Sequence, residues 1–206
     1  DQLQDTTDEN SANLPLNEKG TSLFPLPIGF INLGNTCFFN ASVQCLVRVM
    51  PLTKFILSDS FPDQINELNE NSTRGSIALS YRKFLGDLCR GTPKSSSYNP
   101  REFRRSIVAA YDQFANYHQH DSQELLCALL DGLHEDMNQS EKVGGRLKPV
   151  HITSLSDGWQ VHLSRNSSPI VDIFHGILCS STKCPLCGFI EKARDPFVFL
   201  PIAVPP

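Results

Sequence analysis

One cysteine in this chain stands where a thiol could act as a nucleophile. Cys37 follows Gly29-Phe30-Ile31-Asn32-Leu33-Gly34-Asn35-Thr36, a segment punctuated by glycine and by turn-favouring asparagine. After it comes a largely apolar run with no Gly or Pro until Pro51, so the pattern predicts a helix that opens at Cys37. Unpaired N–H groups and the positive dipole end at a helix start favour a thiolate over a thiol, which makes a cysteine so placed a better nucleophile. Asn32 lies in the turn just upstream, from where its amide could donate a hydrogen bond to an oxyanion forming on a carbonyl attacked by the sulfur. The same local sequence also fits a cysteine that is only a small buried hydrophobe.

Two further groups of side chains could carry chemistry. Cys184 and Cys187 have the spacing of a zinc knuckle, two thiolates that a tight turn through Pro185 and Gly188 would aim at one metal. One C-x-x-C is half of a tetrahedral site, and Cys179 is the only other cysteine nearby, so this chain by itself is not expected to hold a metal. Asp121 and Glu124 are spaced as an N-cap and the third residue of a capping box, ahead of the helical stripe Leu125, Leu126, Leu129, Leu130, Leu133 and Met137. As plain helix caps they would need no other role. Among the six histidines, His118 and His120 flank this acidic pair, His134 falls in a helix, His151 and His162 fall in a strand-forming stretch, and His175 precedes Gly176. All six read as structural residues and not as a catalytic base.

The elements that must position these groups follow from the pattern. Residues 1–27 are polar and acidic and read as a flexible linker, with order expected from Ile28. A polar stretch over Ser58–Gly75 reads as a surface loop around a short helix. Ile77, Tyr81, Phe84, Leu85 and Leu88 recur at helical spacing up to Gly91, and the loop from Thr92 to Tyr98 leads to Asn99 as a cap and Pro100 as the first residue of a helix carrying Phe103, Ile107, Tyr111 and Phe114. A break at Gly144-Gly145 precedes strand-like runs from Leu147. The reading is an α+β chain, with a helical lobe over 28–143 and the start of a sheet over 144–206.

Composition sets bounds on function. The chain has 206 residues, 40% hydrophobic and 19% charged, enough to build a core. A net charge of -4 argues against nucleic acid and suits a basic partner. Seven cysteines, an odd number with one C-x-x-C, indicate a reducing, intracellular compartment in cytoplasm or nucleus and not a disulfide framework. No signal peptide or membrane span is read from the sequence.

The run Gly29 to Leu46 closely resembles the cysteine box of the ubiquitin-specific proteases, papain-like cysteine deubiquitinases, with Phe30 the one conservative departure. Gln119-His120-Asp121-Ser122-Gln123-Glu124 resembles the same family's acidic box. Phe174–Phe189 resembles the strand and knuckle that begin its fingers subdomain, and Asp195–Ile202 the strand that follows. The resemblance implies that Cys37 is the nucleophile, Asn32 the oxyanion donor, and Gln44 and Cys45 helix positions behind the site. It further implies that Gln119, Asp121 and Glu124 line the groove for ubiquitin's basic tail, and that ubiquitin and ubiquitinated proteins are the partners. Catalysis would need no cofactor, and the complete domain would hold a structural zinc to which Cys184 and Cys187 contribute. The implied fold is a papain-like thumb lobe followed by the start of a β-rich fingers subdomain, with the family's histidine box expected beyond these residues and the chain expected to be inactive alone. The activity expected of the whole protein is thiol-dependent cleavage after ubiquitin's terminal glycine. A non-catalytic ubiquitin-binding module is the alternative, and a zinc-ribbon adaptor built on Cys184 and Cys187 a weaker third.

Overall fold

The computed structural model of the chain describes residues 25, 27–90, 97–140 and 155–203. Most of the expected linker, most of the loop before Tyr98, the Gly144-Gly145 break, the start of the run at Leu147 and His151 lie outside the described residues. In chain order come strand β1 (Gly29–Phe30), helices α1 (Cys37–Val47), α2 (Met50–Leu57) and α3 (Ser76–Arg90), strand β2 (Ser97–Tyr98), helices α4 (Arg101–Ala110), α5 (Ser122–Met137), α6 (Leu155–Leu163) and α7 (Pro169–Phe174), and strands β3 (Gly176–Lys183) and β4 (Ile190–Phe197). Short 3-10 turns sit at Phe61–Gln64 and Asp112–Phe114. The fold is α+β, as expected.

Contacts divide the chain into two compact units that do not follow the linear split between helical and strand-like sequence. The first takes the described residues up to Phe61 together with Ser76–Leu129, and the second takes Pro62–Gly75 together with the described residues from Leu130 onward. Helix α5 contributes its first half to one and its second half to the other.

The first unit is built on the stripe read from α3: Ile77, Tyr81, Phe84, Leu85 and Leu88 are all buried. Phe84 stacks on Phe103 of α4 with ring centroids 4.9 Å apart, and Phe103 meets Tyr81 at 5.4 Å and Phe39 of α1 at 6.0 Å. Burial of these rings supplies most of the drive for packing α1, α3 and α4 together. Helix α4 ends sooner than its stripe predicts. Tyr111 leaves the helical region at φ -132, and Phe114 sits instead in the following 3-10 turn, where it lies against Phe38 with centroids 6.1 Å apart. Pro100 caps α4 and does not begin it, while Asn99 accepts from the Arg101 N–H at 3.1 Å.

In the second unit the polar segment 62–75 is fixed by the end of α5. The fully buried Asp136 carboxylate accepts from the Thr73 N–H at 2.7 Å, the Thr73 hydroxyl at 2.8 Å and the Gly75 N–H at 3.1 Å. Asn66 N–H donates to the Asp136 carbonyl at 2.8 Å, and Asn69 Nδ2 to the Glu135 carbonyl at 2.8 Å. Removing this carboxylate strands buried donors, so Asp136→Ala should lower unfolding stability by about 2–4 kcal/mol. Denaturant unfolding checks it, and a loss below about 0.5 kcal/mol, the range of an ordinary surface change, would reject the role.

Residues 155–174 correct the strand-like run expected from Leu147, because they form two helices. Helix α7 is set by Ser168, which caps it by accepting from the Val171 N–H, and by Pro169 at its first turn. Strands β3 and β4 form an antiparallel hairpin with Gly176 opposite Phe197 and Lys183 opposite Ile190. The second strand therefore runs over Ile190–Phe197 and not Asp195–Ile202, since a tight turn at Cys184–Gly188 returns the chain directly onto β3.

Candidate active site

Two parallel strands set the approach to Cys37. Gly29 and Phe30 pair with Ser97 and Tyr98, and the Ile31 N–H continues the ladder to the Tyr98 carbonyl at 2.9 Å. Helix α1 holds the same segment from its other side: Gln44 Nε2 donates to the Ile28 carbonyl at 2.8 Å and Asn40 Nδ2 to the Phe30 carbonyl at 3.2 Å. Gln44 thus fastens the entering strand to the helix behind the site.

The turn between them is organised by one oxygen. Asn32 Oδ1 accepts from the Gly34 N–H at 3.0 Å, the Thr36 N–H at 3.1 Å and the Thr36 hydroxyl at 3.1 Å. Backbone N–H groups can only donate, so the atom they meet is the carbonyl oxygen and the orientation of the amide is fixed. Its Nδ2 group has no hydrogen-bond partner among the described residues. Thr36 is buried, and its hydroxyl also accepts from the Leu33 N–H at 2.9 Å. Because that hydroxyl is turned into the loop, no side chain caps α1, and the first-turn N–H groups around Cys37 stay uncapped. Gly34 takes a φ of 102°, a conformation that favours glycine.

Cys37 opens α1 as expected and is exposed, with Phe38 and Phe39 buried beneath it. It is not the buried hydrophobe that the local sequence also allowed. Asn32 is exposed as well. Cys45 lies on the exposed side of α1. Cys89 is buried, and burial pushes its thiol up. Burial also pushes the Cys127 thiol up, with the Asp121 and Glu124 carboxylates adding to it.

The acidic pair sits next to α1. Ser42 of α1 bonds through its hydroxyl to the Ser122 carbonyl at 2.6 Å and to its own Phe38 carbonyl at 2.9 Å. Asp121 caps α5, with Oδ1 accepting from the Gln123 N–H at 2.7 Å. Glu124 does not close the expected capping box: its carboxylate accepts from Gln113 Nε2 at 3.3 Å. Gln119, Asp121 and Glu124 are all exposed. Ser42 and Tyr117 hold this region together without having been singled out from the sequence, His120 does so as the structural residue it was read to be, and Asn35 carried only a turn signal.

His120, His134, His162 and His175 are engaged elsewhere. His120 packs on Phe38 and Phe114 with centroids 5.1 and 5.4 Å apart, and its Nε2 meets Asn116 Oδ1 at 2.8 Å. Neither His118 nor His120 bonds to Cys37. His162 lies in α6 and not in a strand. Helical spacing stacks its ring on Trp159, and its Nε2 meets Nδ1 of His175 at 2.9 Å. His134 Nδ1 meets the Ser168 hydroxyl at 2.7 Å, and the His134 and His175 rings are 6.0 Å apart. Burial lowers the pKa of all three, that of His175 to about 4 with the neighbouring His162 and His134 adding to the effect. They are neutral near pH 7 and act in packing the second unit.

Cys184 and Cys187 lie at the tip of the β3–β4 hairpin. The Gly188 N–H donates to the Cys184 carbonyl at 3.0 Å, and Gly188 takes a φ of 72°. Backbone N–H groups of Cys187 and then Leu186, with the Cys187 thiol, hold the Cys184 thiol below its ordinary range. A turn that favours the thiolate fits one half of a tetrahedral metal site. Among the described residues no group of three or more His, Cys, Asp or Glu side chains is gathered to complete one. No helix of the described residues is long and apolar enough to cross a membrane.

Comparison with known proteins adds three findings. A family model described as "Ubiquitin carboxyl-terminal hydrolase" matches residues 28–193. The chain is 41% identical over 187 residues to ubiquitin carboxyl-terminal hydrolase 15 of Homo sapiens, covering 86% of this chain and 18% of that protein. It is 38% identical over 183 residues to ubiquitin carboxyl-terminal hydrolase 4 of Mus musculus, covering 86% of this chain and 19% of that protein, so it spans about a fifth of the length of such relatives. Among solved structures, a SAGA DUB module of Ubp8, Sgf11, Sus1 and Sgf73 bound to monoubiquitin matches with a TM-score of 0.60 at 18% identity over 83% of this chain and 34% of that one. The same module bound to ubiquitin aldehyde matches with a TM-score of 0.58 at 18% identity, with the same coverage. At that identity the likeness establishes the fold.

Proposed function

Because this chain belongs to the ubiquitin carboxyl-terminal hydrolase family, we propose that it carries the nucleophile of a thiol-dependent hydrolase that cleaves the bond after ubiquitin's terminal glycine. The observation that carries the reading is the turn before α1. Asn32 Oδ1 is bonded into that turn up to Thr36, the residue before the exposed Cys37, its Nδ2 has no partner among the described residues, and the N–H groups at the helix start are uncapped.

In this reading the Cys37 thiolate attacks the carbonyl carbon of the glycine. The oxyanion formed there accepts from Asn32 Nδ2 and from a first-turn N–H of α1. Collapse of the tetrahedral intermediate breaks the C–N bond, the amine leaves with a proton, and water then hydrolyses the thioester. A base must take the thiol proton. Neither His118 nor His120 is bonded to Cys37, and His134, His162 and His175 have partners of their own, so we assign the base to a residue outside the described ones. Gln119, Asp121 and Glu124, exposed near the start of α5, are assigned to ubiquitin's arginine-bearing tail, which carboxylates suit. Cys184 and Cys187 are assigned as two ligands of a structural zinc, which would lock the hairpin tip and take no part in the chemistry.

The test is turnover by the full-length protein of ubiquitin carrying a C-terminal amide-linked fluorophore. Steady release of the fluorophore is expected. Binding of ubiquitin without release would favour the second reading, a non-catalytic ubiquitin-binding module.

A further inference from the structure

Several asparagines of this fold share a habit that Asn35 does not follow. Asn66, Asn69, Asn116 and Asn138, like Asn32, each accept through Oδ1 from the N–H two residues on, the local bond by which asparagine makes its own turn. Asn35 does not. It sits two residues before Cys37 at a φ of 50°, directly after Gly34 at 102°, and makes no such local bond. Its Nδ2 donates instead to the main-chain carbonyl of Tyr117 at 2.8 Å, 82 residues away in sequence. The Tyr117 ring lies against the same turn, 3.5 Å from the position a Cβ on Gly34 would occupy. An exposed asparagine in the left-handed region would otherwise be exchanging its bonds with water.

The acceptor is itself held in place. Arg104 of α4 donates through Nη2 to the Phe114 carbonyl at 3.1 Å and to the Asn116 carbonyl at 3.4 Å. Asn116 Oδ1 accepts from the His118 N–H at 2.9 Å and meets His120 Nε2 at 2.8 Å. The His120 ring packs on Phe38, the residue after Cys37. The contacts therefore close a ring that leaves the chain just before the nucleophile and returns to it just after.

We propose that Asn35 is a positioning residue: its bond to the Tyr117 carbonyl holds the Asn32–Thr36 turn, and with it the Asn32 amide and the Cys37 sulfur, in one reactive arrangement. The inference rests on the thiol-hydrolase reading. The internal bonds of Asn32 shape the turn, and the Asn35 bond and the Tyr117 ring tie it to the segment that supports α1. A turn released from that support keeps its substrate surface and loses its aim.

Two variants of the full-length protein test this. Asn35→Gly removes the bond while easing the backbone, and Asn35→Asp keeps the shape but replaces the donor by an acceptor. Both should lower kcat on the ubiquitin amide substrate by between about ten- and a hundredfold, the scale of a misplacement on the order of 1 Å, with KM within twofold of wild type. Hydrogen exchange of the Gly34, Asn35 and Thr36 amides should quicken in both. Wild-type kcat in the two variants, a loss confined to KM, or unchanged exchange would each overturn the proposal. If the wild-type protein shows no turnover, the hydrolase reading fails, and the exchange measurement still decides whether Asn35 holds the turn.

Discussion

Cys37→Ala in the full-length protein should remove hydrolysis of ubiquitin amides, a loss on the order of 10⁶-fold in kcat, while ubiquitin binding persists. A ubiquitin probe with a C-terminal electrophile should label Cys37 and no other cysteine. The structure supplies separate reasons for the other thiols of the first unit. Cys89 is only 6% exposed, and its thiol is pushed up by burial. Burial and the nearby Asp121 and Glu124 carboxylates push Cys127 up. Cys45 is exposed and so is open to small electrophiles, but eight residues along α1 put it about 12 Å from Cys37 along the helix axis. A tail that delivers its terminal carbonyl to one sulfur cannot deliver it to the other. Mass spectrometry of the labelled protein reads the outcome directly: labelling that survives Cys37→Ala would sink the assignment, and labelling at Cys45 would mean that the tail enters along the outer side of α1.

The second large effect concerns Asn32, which has two jobs on two atoms. Its Oδ1 shapes the turn through three donors, and its Nδ2 is the group assigned to the oxyanion. Asn32→Ala removes both and should lower kcat by at least about 10²- to 10³-fold, the range for one lost oxyanion donor. Asn32→Asp separates them, since a carboxylate still accepts from Gly34 and Thr36 but cannot donate. It should lose as much in kcat as the alanine variant while the Gly34 and Thr36 amides stay protected from exchange. If Asn32→Asp keeps wild-type turnover, the residue forms the turn and nothing more.

The features legible in the sequence are those written in local spacing. A glycine- and asparagine-rich segment meeting an uninterrupted apolar run marked the start of α1 at Cys37, and the four-residue periodicity of α3 marked the core around Phe84. The C-x-x-C marked the hairpin tip. What the sequence hid depends on partners far away. The α6 segment carries Val161 and His162 in a polar run that resembles a strand, and His162 settles into a helix where its ring meets both Trp159 and His175. Glu124 has the spacing of a capping box, yet a side chain from the preceding turn, Gln113, claims its carboxylate. The clamp on Asn35 ends at a main-chain carbonyl, which every residue possesses and no side chain announces. Cys45 belongs to an apolar-looking helix, but its neighbours Leu46 and Val43 take the buried face and leave it outside.

The interleaving of the two units sets an order of events during synthesis. Gly75 finds its carboxylate partner 61 residues later in the chain, at Asp136. At about 5–20 residues per second, the segment 62–75 leaves the ribosome roughly 3–12 s before the end of α5 does. Through that interval the first unit is already acquiring α3 and α4 on the far side of a loop that cannot yet close. Neither unit can be completed as a block, because α5 is the last element of one and the anchor of the other. Nascent chains halted before residue 136 therefore carry a polar segment whose three asparagines and three carboxylates keep it hydrated while it waits. That composition serves the unfinished chain as much as the finished one.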